Sequence, residues 1–138
     1  MSEATASLVA AVMEAWNTYD VERLASFYAL DYEGLDINDA VPQRGPQGIQ
    51  RMVKRYRDAF PDVQFTAEEV IVQGERVALV WTAQGTHQGR LMNIPPTGRQ
   101  VTVRGVSVLT VKDGQVRRGL YIWDLAGLLR GIGLLPEL

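Results

Sequence analysis

The apolar residues of this chain recur at steps of three and four as far as Phe60 and alternate from Val63 onward, so the hydrophobic period changes once. That order leaves few folds open. Leu8, Val9, Val12, Met13, Trp16 and Tyr19 form one helical stripe over residues 5–19. Asn17 to Asp20 interrupts it, and Asp20 suits the N-cap of a short second helix bearing Leu24, Phe27 and Tyr28. A third helix is predicted from Pro46, a residue favoured in a first turn. It carries Ile49, Met52, Val53, Tyr56 and Phe60 before Pro61 stops it.

Beyond that proline, Val70-Ile71-Val72 and Val77 to Trp81 flank Gly74-Glu75 and read as a hairpin. Residues 100–111 and 115–124 read as two further strands joined at Asp113-Gly114, a strong hairpin signal. The expectation is an α+β fold: three N-terminal helices, a meander of antiparallel strands, and a helical tail from Leu125 to Leu135 packed as a cap. With 138 residues and 46% hydrophobic content, one domain spanning 1–138 is expected to fold on its own core.

Composition then narrows the chemistry. There is no cysteine and one histidine, which excludes disulfides, thiolate nucleophiles, Cys/His zinc sites and any two-histidine metal site; a metal would need carboxylates. A net charge of −2 supplies no field for nucleic acid or an anionic membrane. Arg51, Lys54, Arg55 and Arg57 cluster on the third helix, where such a run is ordinarily a solvated face. The first 22 residues lack Lys and Arg, and the early apolar run Leu8–Met13 is only six residues. Neither a signal peptide nor a membrane span is expected, and a cytoplasmic protein follows by default.

A two-residue turn at Asp113-Gly114 pairs Lys112 with Gln115, and the ladder then sets Val103 opposite Asp124, Gly105 opposite Ile122 and Ser107 opposite Leu120. Asp124 ends an apolar stripe on that face. A carboxylate there is costly to keep ionised, which suits it to giving and taking protons. It equally suits the N-cap of the helix that follows, and on spacing both readings stand. Tyr121 and Trp123 fall on the opposite face, exposed unless a second subunit covers them.

Other candidates surround this pair. His87 is the one imidazole and would make a proton relay with Asp124, although the ladder separates them by roughly 16 Å on a flat lattice. Trp16, Tyr19, Tyr32 and Trp81 are candidates to line a cavity, and Met92 beside the stiff Pro95-Pro96-Thr97-Gly98 loop is placed to close over a ligand. Asp36, just after a first strand predicted to follow the second helix, is a candidate to bind a water or a carbonyl.

Several motifs in order carry a resemblance: Trp16-Asn17 with Asp20, Phe60-Pro61-Asp62, Gly85-Thr86-His87-Gln88-Gly89, Ile94-Pro95-Pro96-Thr97-Gly98-Arg99, Asp113-Gly114, and Trp123-Asp124 with Gly127-Leu128-Leu129. Together they resemble the SnoaL-like polyketide cyclases, or ester cyclases, of the nuclear-transport-factor-2-like superfamily, over nearly the whole chain. The resemblance implies a cone in which a strongly curved sheet wraps around helices to leave one deep, mostly apolar pocket. It also implies a homodimer through the outer face of the sheet. Members of known chemistry close a polyketide ring by intramolecular aldol condensation without metal or organic cofactor, and the resemblance gives Asp124 the general acid/base role. Other superfamily members isomerise ketosteroids or open epoxides, so an epoxide-opening enzyme and a noncatalytic apolar-ligand-binding module remain alternatives. Leu35, Val80 and Arg118-Gly119-Leu120 replace the histidine, arginine and Glu-x-Trp frequent in the family, and Leu120, on the predicted face of Asp124 in place of an indole, points to a wider, more aliphatic pocket.

Overall fold

A computed structural model describes residues 2–137. Helix α1 (Ser2–Thr18) and the short α2 (Val21–Ser26) lead into β1 (Tyr28–Asp36) and β2 (Gln43–Arg44). Helix α3 (Gly45–Ala59) follows, then the long strands β3 (Gln64–Gln73), β4 (Arg76–Thr86), β5 (Gln100–Lys112) and β6 (Gln115–Trp123), and finally α4 (Leu125–Gly131). The six strands form one sheet in the order β2-β1-β6-β5-β4-β3, curled around the helices, so the α+β expectation holds. Among the described residues, no helix is long and apolar enough to cross a membrane.

The sheet is mixed, whereas the sequence suggested antiparallel pairing throughout. β1 runs parallel to β6. Parallel neighbours need a long connection, and α3 with the β3–β5 meander supplies it. Helix α2 is also shorter than its apolar pattern. Phe27 donates its N–H to Leu24 O while its carbonyl accepts from Val116 N–H, which draws Tyr28 into the sheet.

The joints between layers are polar and local. Helix α1 stops because Tyr19 turns into the left-handed region at φ 56°, with Asp20 N–H reaching Ala15 O and Tyr19 N–H reaching Trp16 O. Asn17 clamps β3 at two points, donating to Phe65 O at 2.9 Å and accepting from Phe65 N–H at 2.7 Å. Asp62 ties the end of β4 by accepting from both the backbone N–H and the hydroxyl of Thr86. Gly89 lies flat against the end of α3: a Cβ there would sit 1.9 Å from Asp58 O, so no larger residue fits without moving backbone.

Two apolar clusters hold the layers. The first joins Val9 and Val12 of α1, Leu24 of α2, Ile49 and Val53 of α3 and Val116 of β6, all nearly inaccessible. The second gathers Phe60, Val63, Ala83, Val101, Leu128 and Ile132 around the foot of α4. Truncating a fully buried Leu or Ile in either to Ala should cost about 2–5 kcal/mol.

The decisive departure lies in the β5–β6 ladder. Lys112 does pair with Gln115, and Val111 with Val116, but the next partners are Thr110 and Arg118. Arg117 is the extra residue of a β-bulge. One extra residue moves every later side chain to the other face. Gly105 therefore faces Trp123 and Ser107 faces Tyr121, so Tyr121 and Trp123 point inward while Leu120 and Ile122 point outward. The expected inward stripe of Leu120, Ile122 and Asp124 is thereby reversed.

Candidate active site

Between the two apolar clusters lies a cavity of about 960 Å³, counting its open mouth. Strands β4 and β5 form its floor with Leu79, Trp81, Ala83, Val103, Ser107 and Leu109. The helices cover it with Val12, Trp16, Met52 and Tyr56, and β6 adds Tyr121 and Trp123. Trp16, Phe65 and Trp81 stand edge to face in sequence, with ring centroids 5.0 and 5.5 Å apart. The walls are thus aromatic and aliphatic, with few polar groups to orient a ligand.

The one carboxylate lining this cavity, among the described residues, is Asp36 at the end of β1. It is only 4% exposed. Its Oδ2 accepts from the Tyr56 hydroxyl at 3.0 Å and from the Trp123 indole N–H at 2.8 Å, and its Oδ1 accepts from the backbone N–H of Asn38 at 2.9 Å. These three donors are all neutral groups, and they hold the carboxyl at the wall of an apolar space. The two aromatic donors brace each other edge to face at 5.9 Å. Asp36 continues the inward alternation Tyr32-Gly34-Asp36 of β1, the same period-two argument that drew attention to Asp124 on another strand.

Further polar groups line or back the cavity. Ser107 Oγ accepts the Trp81 indole N–H at 3.0 Å. Close approach at Gly105 makes this possible: a Cβ there would lie 2.2 Å from the Trp81 ring. On β1 and β6 the hydroxyls of Tyr32 and Tyr121 are hydrogen bonded to each other. Burial, reinforced by neighbouring phenols, pushes Tyr28, Tyr32 and Tyr121 upward from the ordinary tyrosine value. Burial, then the negative Asp36, does the same to Tyr56, against the opposing pull of Arg55. A raised value in the folded state stabilises the fold below the unfolded tyrosine value near 10 and loses that contribution as pH rises through the folded value. Absorbance at the phenolate band should therefore show these four tyrosines silent until an abrupt alkaline unfolding. Measured on Tyr19→Phe, which leaves only these four phenols, gradual ionisation of the native protein near pH 10 would refute this.

The remaining sequence candidates are dispersed. Trp16, Asp36, Trp81, Val103 and Ser107 line the cavity. Gly105 lies beneath the Trp81 ring, and Tyr32 sits behind Tyr121 in the core. Tyr19 is turned away at the helix end with the Arg57 guanidinium 5.0 Å from its ring centroid. Met92 is half exposed and borders a separate chamber. Leu120 and Ile122 lie on the outer face because of the Arg117 bulge.

Asp124 does not line the cavity. It is exposed, and its carboxylate caps α4 by accepting from Gly127 N–H at 2.8 Å. His87 is fully buried away from it, with Nδ1 accepting from Thr97 N–H at 3.2 Å and meeting Thr97 Oγ1 at 3.0 Å. It pins the Pro-rich loop to β4 and forms no relay with Asp124. Tyr56, Tyr121 and Trp123 were not expected as site residues. Helical spacing placed the first in the core, and the bulge concealed the other two.

A curled sheet enclosing an apolar cavity with one buried carboxylate defines a small-molecule pocket of the nuclear-transport-factor-2-like kind. Residues 6–132 match the sequence profile of the SnoaL-like polyketide cyclases, and the chain belongs to that family. Aklanonic acid methyl ester cyclase DnrD of Streptomyces peucetius is 28% identical over 128 residues, covering 91% of this chain and 88% of the relative. Nogalonic acid methyl ester cyclase of Streptomyces nogalater is 27% identical over 124 residues, with 88% and 92% covered. Among solved structures, AclR of Streptomyces galilaeus superposes with a TM-score of 0.86 at 28% identity, covering 100% of this chain and 89% of that one. IdmH of Streptomyces antibioticus gives 0.81 at 28% identity, with 93% and 97% covered.

Proposed function

We propose that this chain is a polyketide-cyclase-like enzyme in which Asp36, rather than Asp124, moves the proton that closes a ring in, or isomerises, an apolar small molecule. The buried Asp36 carboxylate facing an apolar cavity is the observation that carries this reading. In the aldol version, Asp36 removes a proton from carbon next to a carbonyl. The resulting enolate forms a carbon–carbon bond to a second carbonyl of the same molecule, and Asp36 returns the proton to the new alkoxide. Tyr56 and Trp123 hold the carboxylate in place, and the apolar walls fold the flexible chain so that its reacting atoms meet. Ser107, whose oxygen already accepts from Trp81, keeps its own hydrogen for a ligand oxygen.

Such a closure is an isomerisation, so product and substrate share one mass. Incubation with aklanonic acid methyl ester, named for the DnrD relative, should yield a cyclised isomer by chromatography and mass spectrometry. Tight binding of that ester without conversion would favour the noncatalytic module instead.

The same reading includes a homodimer through the outer face of the sheet. That face is the one bearing Leu35, Val80, Val106, Val108, Leu120 and Ile122, because Tyr121 and Trp123 point inward. Leu35 and Ile122 are 42% and 41% exposed, which leaves apolar area for a second copy to cover. Sedimentation at micromolar concentration should give a dimer, and Ile122→Lys should give a folded monomer. A wild-type monomer would remove the interface.

A further inference from the structure

Asp36 faces two chambers. Besides the apolar cavity it lines a second space of about 430 Å³ together with Asn38, Asp39, Arg55, Leu91 and Met92. Tyr56 and Trp123 line both, so the carboxylate and its two side-chain donors form the wall between them. The second chamber differs in chemistry. Two carboxylates, a guanidinium, a carboxamide and a phenol surround it, with Arg55 bonded to Asp39 at 3.0 Å. An apolar ligand would strip these groups of partners, and an anion would meet more carboxylates than cations. Water satisfies them without either cost.

The two spaces also differ in how exposed their linings are. Among the residues lining the apolar cavity, Gln84 alone is exposed; the polar chamber opens past Asn38, Arg55 and Met92. Met92 is held there by a tight turn in which Leu91 is buried and exchanges backbone hydrogen bonds with Ile94, while Met92 and Asn93 take φ of 48° and 64°. A substrate filling the apolar cavity would cut Asp36 off from solvent on that side only.

We propose that the polar chamber is the water side of Asp36, through which the carboxyl group exchanges its proton with solvent while the apolar cavity stays dry and occupied. This inference rests on Asp36 being the proton-transfer group. Once Asp36 has taken a proton from carbon, its O–H bond breaks toward a chamber water as a proton returns from that water, so charge and proton count are unchanged. The proton later delivered to the alkoxide is then a solvent proton. Trp123 and Tyr56 keep that water away from the enolate.

Hydrogen exchange of the indole N–H groups reads this without any turnover. Trp123 N–H lies on Asp36, whereas Trp81 N–H lies on Ser107 inside the apolar cavity. Both can be followed by NMR on the whole chain, with Trp123→Phe and Trp81→Phe for assignment. The apolar cavity is filled with 1-anilinonaphthalene-8-sulfonate, its occupancy read by fluorescence, and the chamber is plugged by Met92→Phe or independently by Asn38→Leu. Filling the cavity should slow Trp81 exchange about tenfold or more and leave Trp123 within about threefold, while a folded plug variant should slow Trp123 about tenfold. Exchange at Trp123 that follows the filled cavity as closely as Trp81 does, or that ignores both plugs, overturns the proposal. Failure of Asp36 as the proton carrier is a separate result, seen only in turnover.

Discussion

Asp36→Asn should lower turnover by about 10²–10⁴-fold while leaving ligand affinity nearly unchanged. The substituted amide keeps one oxygen to accept from Tyr56 and Trp123, so the shape of the wall persists. Its NH₂ group must then oppose the backbone N–H of Asn38, which now donates to Oδ1 at 2.9 Å. That clash should cost about 1–3 kcal/mol of stability, and the assay therefore belongs well below the unfolding temperature. A loss in kcat with KM little changed identifies a group that acts in the transition state.

The control is Asp124→Asn, which should stay within a few-fold of wild type because Asp124 is an exposed helix cap. Asp124→Ala should cost about 0.5–2 kcal/mol of stability through loss of the cap alone. If Asp124→Asn abolished turnover and Asp36→Asn did not, the assignment would pass back to Asp124.

Deleting Arg117 should have the largest structural effect of any single change. The Asp113-Gly114 turn would still pair Lys112 with Gln115, but without the bulge the rest of β6 would reverse its faces. Trp123 would leave Asp36, Tyr121 would leave Tyr32, and Leu120 and Ile122 would enter a cavity shaped for aromatic rings. Losing these contacts together is worth several kcal/mol, a large share of the roughly 5–15 kcal/mol that holds a domain folded. Denaturant titration should show a chain largely unfolded or stripped of its near-ultraviolet aromatic signal. Stability within about 1 kcal/mol of wild type, with that signal intact, would show that the bulge does not set the faces. By contrast Arg117→Ala keeps the extra residue and should spare the register.

Several of the motifs that carried the family resemblance fasten the layers of the fold. Asn17 clamps β3, Asp62 ties down Thr86, Gly89 lets the chain lie on α3, His87 anchors Thr97, and Asp124 starts α4. Each fixes a joint between layers, and together they specify the cone. Asp124 and His87 are also residue types suited to proton transfer, which is why both drew a functional reading.

Sequence alone determined the order of the helices and of the long strands β3 to β6, because hydrophobic period and turn chemistry are local properties, but β1 and β2 enter between α2 and α3 and break the expected run of three helices. The helical stripes ended at Pro61, the strands alternated after it, and Asp113-Gly114 joined β5 to β6. Asp36 was visible as a polar residue near a strand end, but not as the carboxylate of the cavity. Tertiary structure decided that. It paired β1 in parallel with β6 from the far end of the chain, and it inserted Arg117 as a single unpaired residue. Neither choice is legible in local periodicity, since a parallel partner is chosen by long-range packing, and the phase shift at the bulge is hidden because Leu120, Tyr121, Ile122 and Trp123 are apolar on both faces. The side chains that meet at Asp36, from α3 and β6, come together only after both choices have been made.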